Sequence, residues 1–162
     1  MPLSLKVQLE SLATTETLGQ LLSAQIVAQE LQHIFMNGPL GSGKTTLTRA
    51  IIMPLEGAEN CEVSSPSFSI INYYPVIPYV QHCDLYRCQN AIPEELLDNL
   101  ANPNIVTLLE WSQYLPTTAW PTEVLSLIFS LTPRELTLTA HGARTTATLS
   151  RLKALLPHAT SV

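Results

Sequence analysis

Hydrophobic positions along this chain alternate between short apolar runs and helical stripes, a pattern that predicts an α/β arrangement. His33–Asn37 and Ile105–Glu110 are compact and mostly apolar, as expected for buried strands of a parallel sheet. Ahead of the first run, a helix is predicted to begin at Thr14 or Thr15, with an apolar stripe formed by Leu18, Leu21, Leu22 and Ile26. A second helix is predicted over residues 45–53, ending before Pro54.

The remaining hydrophobic segments are shorter and are interrupted by prolines. Strands are predicted at residues 69–74, 79–83, 124–132 and 135–139, the last two forming an antiparallel hairpin around Pro133. Shorter elements are a helix near Pro93, a final helix at 150–156 and an edge strand or loose leader within 1–13. Together these elements predict a single three-layer domain over residues 1–162, with a mainly parallel central sheet and an antiparallel C-terminal appendage.

The composition favours a folded domain and limits the classes of partner that it is expected to bind directly. Of 162 residues, 46% are hydrophobic and 13% are charged, which argues against disorder. The net charge is −5 and the eight lysines and arginines are scattered, so any contact with nucleic acid is expected to pass through a partner protein. No apolar run reaches the ~18 residues of a membrane span and no signal-peptide pattern is seen. The chain is therefore expected in the cytoplasm, without a membrane partner.

A glycine-rich stretch separates the first predicted parallel strand from the helix that follows it. Residues 38–45 read G-P-L-G-S-G-K-T and match G-x-x-x-x-G-K-[S/T], the phosphate-binding loop pattern. Backbone amides in such a loop, together with the N-terminus of the next helix, bind phosphate oxygens. Lys44 adds a cation for the β- and γ-phosphates, and the Thr45 hydroxyl suits a Mg²⁺ ion. The sequence therefore predicts a P-loop NTPase-like fold, the alternative being a chance match in a surface loop.

Two carboxylates end predicted strands and could complete a nucleotide site. Glu110 closes the buried strand after the loop and is the candidate for holding the metal, directly or through water. Asp84 follows the strand at 79–83 and could orient the attacking water or a metal-bound water. Each also has an ordinary explanation. Glu110 could be a solvated strand end, and Asp84 could pair with Arg87 or cap a turn.

Two further features have both a functional and a structural interpretation. The serine-rich segment at 64–68 lies where P-loop NTPases often carry a switch that senses the γ-phosphate, but a polar turn explains it equally well. Trp111, directly after Glu110, could stack on adenine, although a half-buried packing role is the more ordinary one for tryptophan.

Five motifs in this order resemble one family, the small bacterial ATPases called TsaE. They are G-x-x-G-x-G-K-T-T-x-x-R, S-P-[S/T]-F, H-x-D-L-Y-R, P-E-E-L and L-[I/L]-E-W, found here at residues 38–49, 65–68, 82–87, 93–96 and 108–111. The pairing of H-x-D-L-Y-R with E-W is the specific part of the resemblance, because the phosphate-binding loop occurs in many families. The chain departs from the family at Ser67, where relatives usually carry threonine.

The resemblance implies a role in making N6-threonylcarbamoyladenosine at tRNA position 37, with ATP and Mg²⁺ as cofactors and a TsaD–TsaB pair as partner. By matching positions, Thr45 and Glu110 correspond to the Mg²⁺ ligands, and Asp84 corresponds to the acidic residue needed for turnover. The implied nucleotide-binding positions are Gly38, Gly41, Ser42, Gly43, Lys44, Thr45 and Thr46, with Thr15 bordering the nucleotide and Arg134 near the adenine.

The favoured hypothesis is a Mg²⁺-dependent ATPase in which Lys44, Asp84 and Glu110 are the catalytic residues. Neither Arg49 nor Arg87 is clearly an arginine finger, so slow turnover that depends on a partner is expected. Two other classes remain open. A small-molecule kinase would need an arginine-rich lid that the sequence lacks, and a binding module would use ATP only to change shape.

Overall fold

A computed structural model describes residues 1–66, 68–89, 91–156 and 158–162. In this part of the chain the strands are β1 (Ser4–Gln8), β2 (His33–Asn37), β3 (Ile71–Tyr74), β4 (Tyr79–Asp84), β5 (Ile105–Glu110), β6 (Val124–Leu131), β7 (Arg134–His141) and β8 (Thr160–Ser161). The α-helices are α1 (Leu12–Val27), α2 (Lys44–Ile52), α3 (Glu94–Leu100) and α4 (Ala143–Lys153). Among the described helices, none has the length and apolar character needed to cross a bilayer.

The strands form one mixed sheet in the order β3-β4-β5-β2-β6-β7-β1-β8. The four neighbours β4, β5, β2 and β6 are parallel, while the described pairings outside them are antiparallel. The predicted parallel centre is therefore confirmed for these four strands. Because the carboxyl ends of parallel strands lie at one sheet edge, the residues that follow β2, β4 and β5 are brought together there.

The C-terminal hairpin differs from its predicted placement. The hairpin itself is confirmed as β6 and β7, but it is not an appendage. Its first strand pairs in parallel with β2, and its second strand continues the same sheet to β1. The alternating pattern of a hairpin reports the local turn and the buried face, whereas pairing with a strand far away in sequence depends on long-range packing. The 1–13 segment likewise contains a strand, β1, that is covered by β8 rather than lying at the edge.

Helices cover both faces of the sheet, and the β2 side chains show how. Ile34 and Met36 point into the larger hydrophobic core, which also contains apolar residues of α1, α2 and α4. Phe35, between them in sequence, points into a second core shared with Leu96 and Leu100 of α3. Successive strand residues face opposite sides, so an uninterrupted apolar run is what a strand buried on both faces requires. This explains why the run at His33–Asn37 predicted the strand with its observed bounds.

Two helices begin more than one residue before their predicted starts, each because of a capping group. α1 begins at Leu12, since the Ser11 hydroxyl accepts a hydrogen bond of 3.2 Å from the Thr14 amide and so acts as the N-cap. α4 begins at Ala143 rather than at residue 150. The Glu123 carboxylate accepts hydrogen bonds from the Arg144 amide (3.3 Å) and the Thr145 amide (2.8 Å). A distant carboxylate thus supplies a cap that the local sequence of α4 does not show.

Helices α1 and α2 pack closely through a glycine. A Cβ atom added at Gly19 would lie 2.3 Å from the Cβ of Ala50, well inside the closest approach of two carbon atoms. The two backbones are therefore near the limit of contact, which places the N-terminal end of α1 beside the loop that precedes α2.

The Glu123 cap predicts a pH-dependent contribution to stability. Burial disfavours the charged form of Glu123, but hydrogen bonds from Thr145 and Arg144 outweigh it and lower its pKa below the usual value. Since the folded pKa is depressed, the stabilisation is present above the ordinary pKa and is lost as the pH falls through the folded pKa. Glu123→Ala is expected to lower the free energy of unfolding by about 1 kcal/mol at neutral pH.

Urea denaturation of wild type and variant at several pH values would measure this difference. The gap between the two proteins should shrink as the pH is lowered, and Glu62→Ala, at an exposed position, should show no comparable gap. A Glu123→Ala gap that stays constant down to acidic pH would contradict the capping role.

Candidate functional site

The glycine-rich loop connects the end of β2 to the start of α2 and is held by backbone geometry. Gly43, the N-cap of α2, has a φ of +108°, a conformation that favours glycine. A Cβ atom at Gly38 would lie 2.7 Å from the Cβ of Phe129 on β6, so the loop backbone passes directly against that strand. The loop therefore rests on the sheet at its start and turns into a helix at its end, with the helix N-terminus facing the cavity described below.

Lys44 is folded back over the loop that contains it. Its Nζ donates hydrogen bonds to the carbonyl oxygens of Gly38 (2.7 Å) and Pro39 (3.0 Å) and lies 4.5 Å from the ring centroid of Trp111. Burial lowers the pKa of Lys44, while the nearby carboxylates of Glu110 and Asp84 act in the opposite direction. The ammonium is thus partly desolvated, a state in which an anionic ligand is attracted strongly.

Glu110 lies at the end of β5, and one of its oxygens accepts two hydrogen bonds. Thr45 Oγ1 donates to Glu110 Oε1 over 3.1 Å, and His82 Nε2 lies 2.8 Å from the same oxygen. Glu110 is 2% exposed. The carboxylate is therefore not a solvated strand end, because it is buried and joins α2, β4 and β5.

Asp84, beside Glu110 in the register of β4 and β5, has two partners of its own. Its Oδ1 accepts a hydrogen bond from the Tyr86 amide (2.8 Å), and its Oδ2 accepts one from the Ser65 hydroxyl (3.0 Å). Asp84 thus caps a turn, as the structural alternative predicted, and at the same time lies on the wall of the candidate site. It also connects the serine-rich segment to the sheet edge.

A cavity of about 330 Å³ brings most of the predicted site residues together. It is lined by Gly41, Ser42, Gly43, Lys44, Thr45, Thr46, Asp84, Glu110 and Arg134, together with Leu40, Ser65 and Trp111. An adjoining cavity of about 400 Å³ shares Ser42, Gly43, Thr46 and Arg134 with the first and extends to Thr15. Gly38 lines neither cavity; its contribution is the carbonyl that Lys44 contacts. The residue roles themselves remain predictions.

The oxygen atoms near the loop fit a magnesium ion. Thr45 and Glu110 contribute a hydroxyl and a carboxylate within 3.1 Å of each other, on the wall of the same cavity. Mg²⁺ prefers oxygen ligands and is commonly held by one or two carboxylates together with substrate phosphates. Among the described residues, Glu110 Oε2 has no hydrogen-bond donor, so one carboxylate oxygen remains available to a cation or its water.

Two residues that contact the site lie outside the predicted set of site residues, and a third position falls outside the described part of the chain. His82 stood out among the histidines and lies in the H-x-D-L-Y-R motif but was given no role, and it contacts Glu110 directly. Trp111 is half-buried and packs against the second core, as its ordinary interpretation predicted; it also has a φ of +57° and contacts Lys44, Tyr86 and Tyr114. The spacing of His82 and Asp84 is the signal that could have found the first, because residues two apart share one face of a strand. Ser67 lies outside the described residues.

Comparison with known proteins identifies the family. The family model described as "Threonylcarbamoyl adenosine biosynthesis protein TsaE" matches residues 9–137. A Haemophilus influenzae protein named tRNA threonylcarbamoyladenosine biosynthesis protein TsaE is 36% identical over 85 residues, covering 49% of this chain and 51% of the relative. The Rickettsia bellii protein of the same name is 38% identical over 87 residues, covering 51% of this chain and 58% of the relative. The match thus spans little more than half the length of these relatives.

A solved structure supports the fold. The crystal structure of Bacillus subtilis YdiB superposes with a TM-score of 0.67 at 24% sequence identity, covering 96% of this chain and 97% of that one. The overall arrangement of strands and helices is therefore shared well beyond the segment over which sequences align.

The contact between Lys44 and Trp111 predicts an optical signal for ligand binding. A polyphosphate in the cavity would compete with the ring for the ammonium group, so adding ATP with Mg²⁺ is expected to change tryptophan emission. Trp120 provides the matched control, because its indole Nε1 donates to the Leu115 carbonyl and it does not line the cavity. Trp120→Phe should keep the ATP-dependent change and Trp111→Phe should lose it, whereas the reverse result would contradict this placement.

Proposed function

Because the chain belongs to the TsaE family, we propose that residues 1–162 act as one Mg²⁺-dependent ATPase domain that supports a TsaD–TsaB-type complex in threonylcarbamoyladenosine modification of tRNA. Membership of the family supports the role in threonylcarbamoyladenosine biosynthesis. The ATPase activity is supported by one observation above all, the convergence of Lys44, Thr45, Asp84 and Glu110 on a single cavity. These residues come from the loop, α2, β4 and β5, so the cavity combines a phosphate-binding lysine with two carboxylates.

Lys44 and the loop amides would bind the phosphates. The Lys44 ammonium now contacts two carbonyl oxygens and a ring, and a phosphate oxygen is a stronger, charged acceptor for the same donor. The N-terminus of α2 adds unpaired amides and the positive end of a helix dipole. Binding of a triphosphate therefore replaces weak contacts of Lys44 with charge-assisted hydrogen bonds.

Thr45 and Glu110 would hold the metal, and Asp84 would orient the attacking water. When bound, Mg²⁺ neutralises charge that develops on the β- and γ-phosphate oxygens. Asp84 lies beside Glu110 on the wall of the same cavity, with its carboxylate fixed by the Tyr86 amide and the Ser65 hydroxyl. A carboxylate held at both oxygens is suited to orienting water with little further reorganisation.

The adjoining cavity is the proposed site of the nucleoside. Thr15 at the start of α1 and Arg134 at the start of β7 line it together, although they are far apart in sequence. Both were expected near the nucleotide, and their shared position beside Ser42 and Gly43 supports that expectation. The close contact of Gly19 with Ala50 fixes α1 against α2 and so supports this part of the wall.

A partner is proposed to accelerate turnover. The Arg49 guanidinium donates to the Val63 carbonyl over 2.9 Å, a contact that fixes a neighbouring segment. P-loop NTPases that lack an arginine finger hydrolyse their nucleotide roughly 10³–10⁵-fold more slowly than those whose site includes one. The net charge of −5 also disfavours direct binding to tRNA, so the partner complex, rather than this chain, is proposed to contact the tRNA.

Steady-state ATP hydrolysis by the purified chain tests the proposal. We expect slow turnover that rises when the cognate TsaD–TsaB pair is added. Asp84→Asn should lower the rate about a hundredfold or more because it removes the charge that orients the water. Asp98→Asn, an exposed change on α3, makes the same chemical substitution away from the cavity and should leave the rate unchanged.

Other outcomes would identify a different function. Rapid hydrolysis that ignores the partner would contradict partner gating. Transfer of the γ-phosphate to a small acceptor would identify a kinase. Full support of the partner by the Glu110→Ala variant, with ATP bound and not hydrolysed, would identify a binding module.

A further inference from the structure

His82 is buried beneath the candidate metal ligand and has a defined contact with it. Its side chain is fully buried on β4, and its Nε2 lies 2.8 Å from Glu110 Oε1. We propose that His82 is a positioning residue that fixes the Glu110 carboxylate so that Oε2 faces the cation. This inference rests on the proposed function, since it concerns how that site holds Mg²⁺.

The strand register explains why a histidine can reach this carboxylate. In the parallel pairing of β4 and β5, His82 lies opposite Leu108 and Asp84 lies opposite Glu110. Residues two apart share a face of a strand, so His82 is one pleat below Asp84 on the side of the sheet that carries Glu110. The imidazole therefore approaches the carboxylate from inside the protein, away from the cavity that would receive the nucleotide.

The surroundings of the ring determine which nitrogen donates. His82 Nδ1 is buried and has no hydrogen-bond partner among the described residues, whereas Nε2 faces a carboxylate oxygen. If the proton were on Nδ1, this buried donor would have no acceptor, and Nε2 would face the Glu110 carboxylate without a hydrogen to donate. That arrangement costs more than a proton on Nε2. The proton therefore belongs on Nε2. The Tyr74 ring lies beside the imidazole, with 6.3 Å between the ring centroids.

The two donors to Glu110 Oε1 differ in whether they are also proposed to bind the metal. Thr45 is itself a proposed metal ligand, so its hydroxyl would also bind Mg²⁺ when the metal and nucleotide are present. His82 has no other hydrogen-bond partner in the part of the chain that the structure describes, and it does not line the cavity. Its contact can hold the carboxylate rotamer whichever way the Thr45 hydroxyl turns. Partners behind a metal ligand typically affect metal affinity by about 10–100-fold.

Two amide substitutions separate positioning from packing. The longer side chain of His82→Gln carries its NH₂ group to about the place of Nε2, whereas the shorter one of His82→Asn carries it to about the place of Nδ1. Both variants remove the ring, so they differ mainly in whether a donor reaches Glu110. Calorimetry measures the affinity for ADP in Mg²⁺ and in EDTA, and the ratio of the two affinities is the enhancement that the metal provides. Thermal unfolding measures the stability of each variant.

We expect His82→Gln to keep the wild-type enhancement and His82→Asn to lose about tenfold or more of it, with EDTA affinity unchanged in both. Equal enhancement in His82→Asn and wild type would overturn the inference. So would a parallel loss in both variants that accompanies weaker EDTA binding, since that pattern indicates a packing role. If the wild type binds ADP in neither condition, the proposed function itself fails.

The wild-type protein offers a second measurement that does not require a folded variant. Long-range ¹H–¹⁵N correlation spectra distinguish the two nitrogens of an imidazole by their chemical shifts. We expect the proton of His82 on Nε2, and a proton found on Nδ1 alone would overturn the proposed contact with Glu110.

Discussion

The hydrogen bonds on Glu110 Oε1 join the parts of the molecule that form the site. One comes from Thr45 at the start of α2, and the other from His82 in β4, while Glu110 itself ends β5. A buried carboxylate is costly unless it is well paired, so this contact constrains the relative positions of a helix and two strands. The loop before α2 and the turn after β4 are positioned by this placement of α2, β4 and β5 around Glu110. Asp84 and Lys44 both line the resulting cavity, close enough for the Asp84 charge to act on the Lys44 ammonium.

The site combines a desolvated cation with two carboxylates, and this balance fits an anionic ligand with a divalent metal. Lys44 on its own would attract phosphate, whereas Asp84 and Glu110 on their own would repel it. A Mg²⁺ ion with the triphosphate would suit both sets, because the charge of the metal would offset that of the carboxylates and the phosphates would pair with the lysine. The lowered pKa of Lys44 reflects burial that is not fully offset by the two acidic neighbours.

The sequence predicted the elements whose evidence is local and missed those that depend on distant partners. β2 and β5 were predicted with their observed bounds because strands buried on both faces show an uninterrupted apolar run. The start of α4 was wrong because its cap, Glu123, lies outside the helix sequence. The loop motif and the strand-end position of Glu110 predicted their proximity. Thr15 and Arg134 came only from family resemblance, since no spacing connects two residues that distant, and the contact of His82 required the strand register.

The close approach of Gly38 to Phe129 has a consequence for how this chain can be divided. The family motifs end at Trp111, yet the loop in the first of them rests on β6, which comes later in the chain. β6 in turn pairs with β2 on one side and β7 on the other. The conformation of the glycine-rich loop thus depends on the assembled sheet and not on its own segment alone. A fragment cut at the last motif would keep every signature residue and lose the surface that shapes the loop.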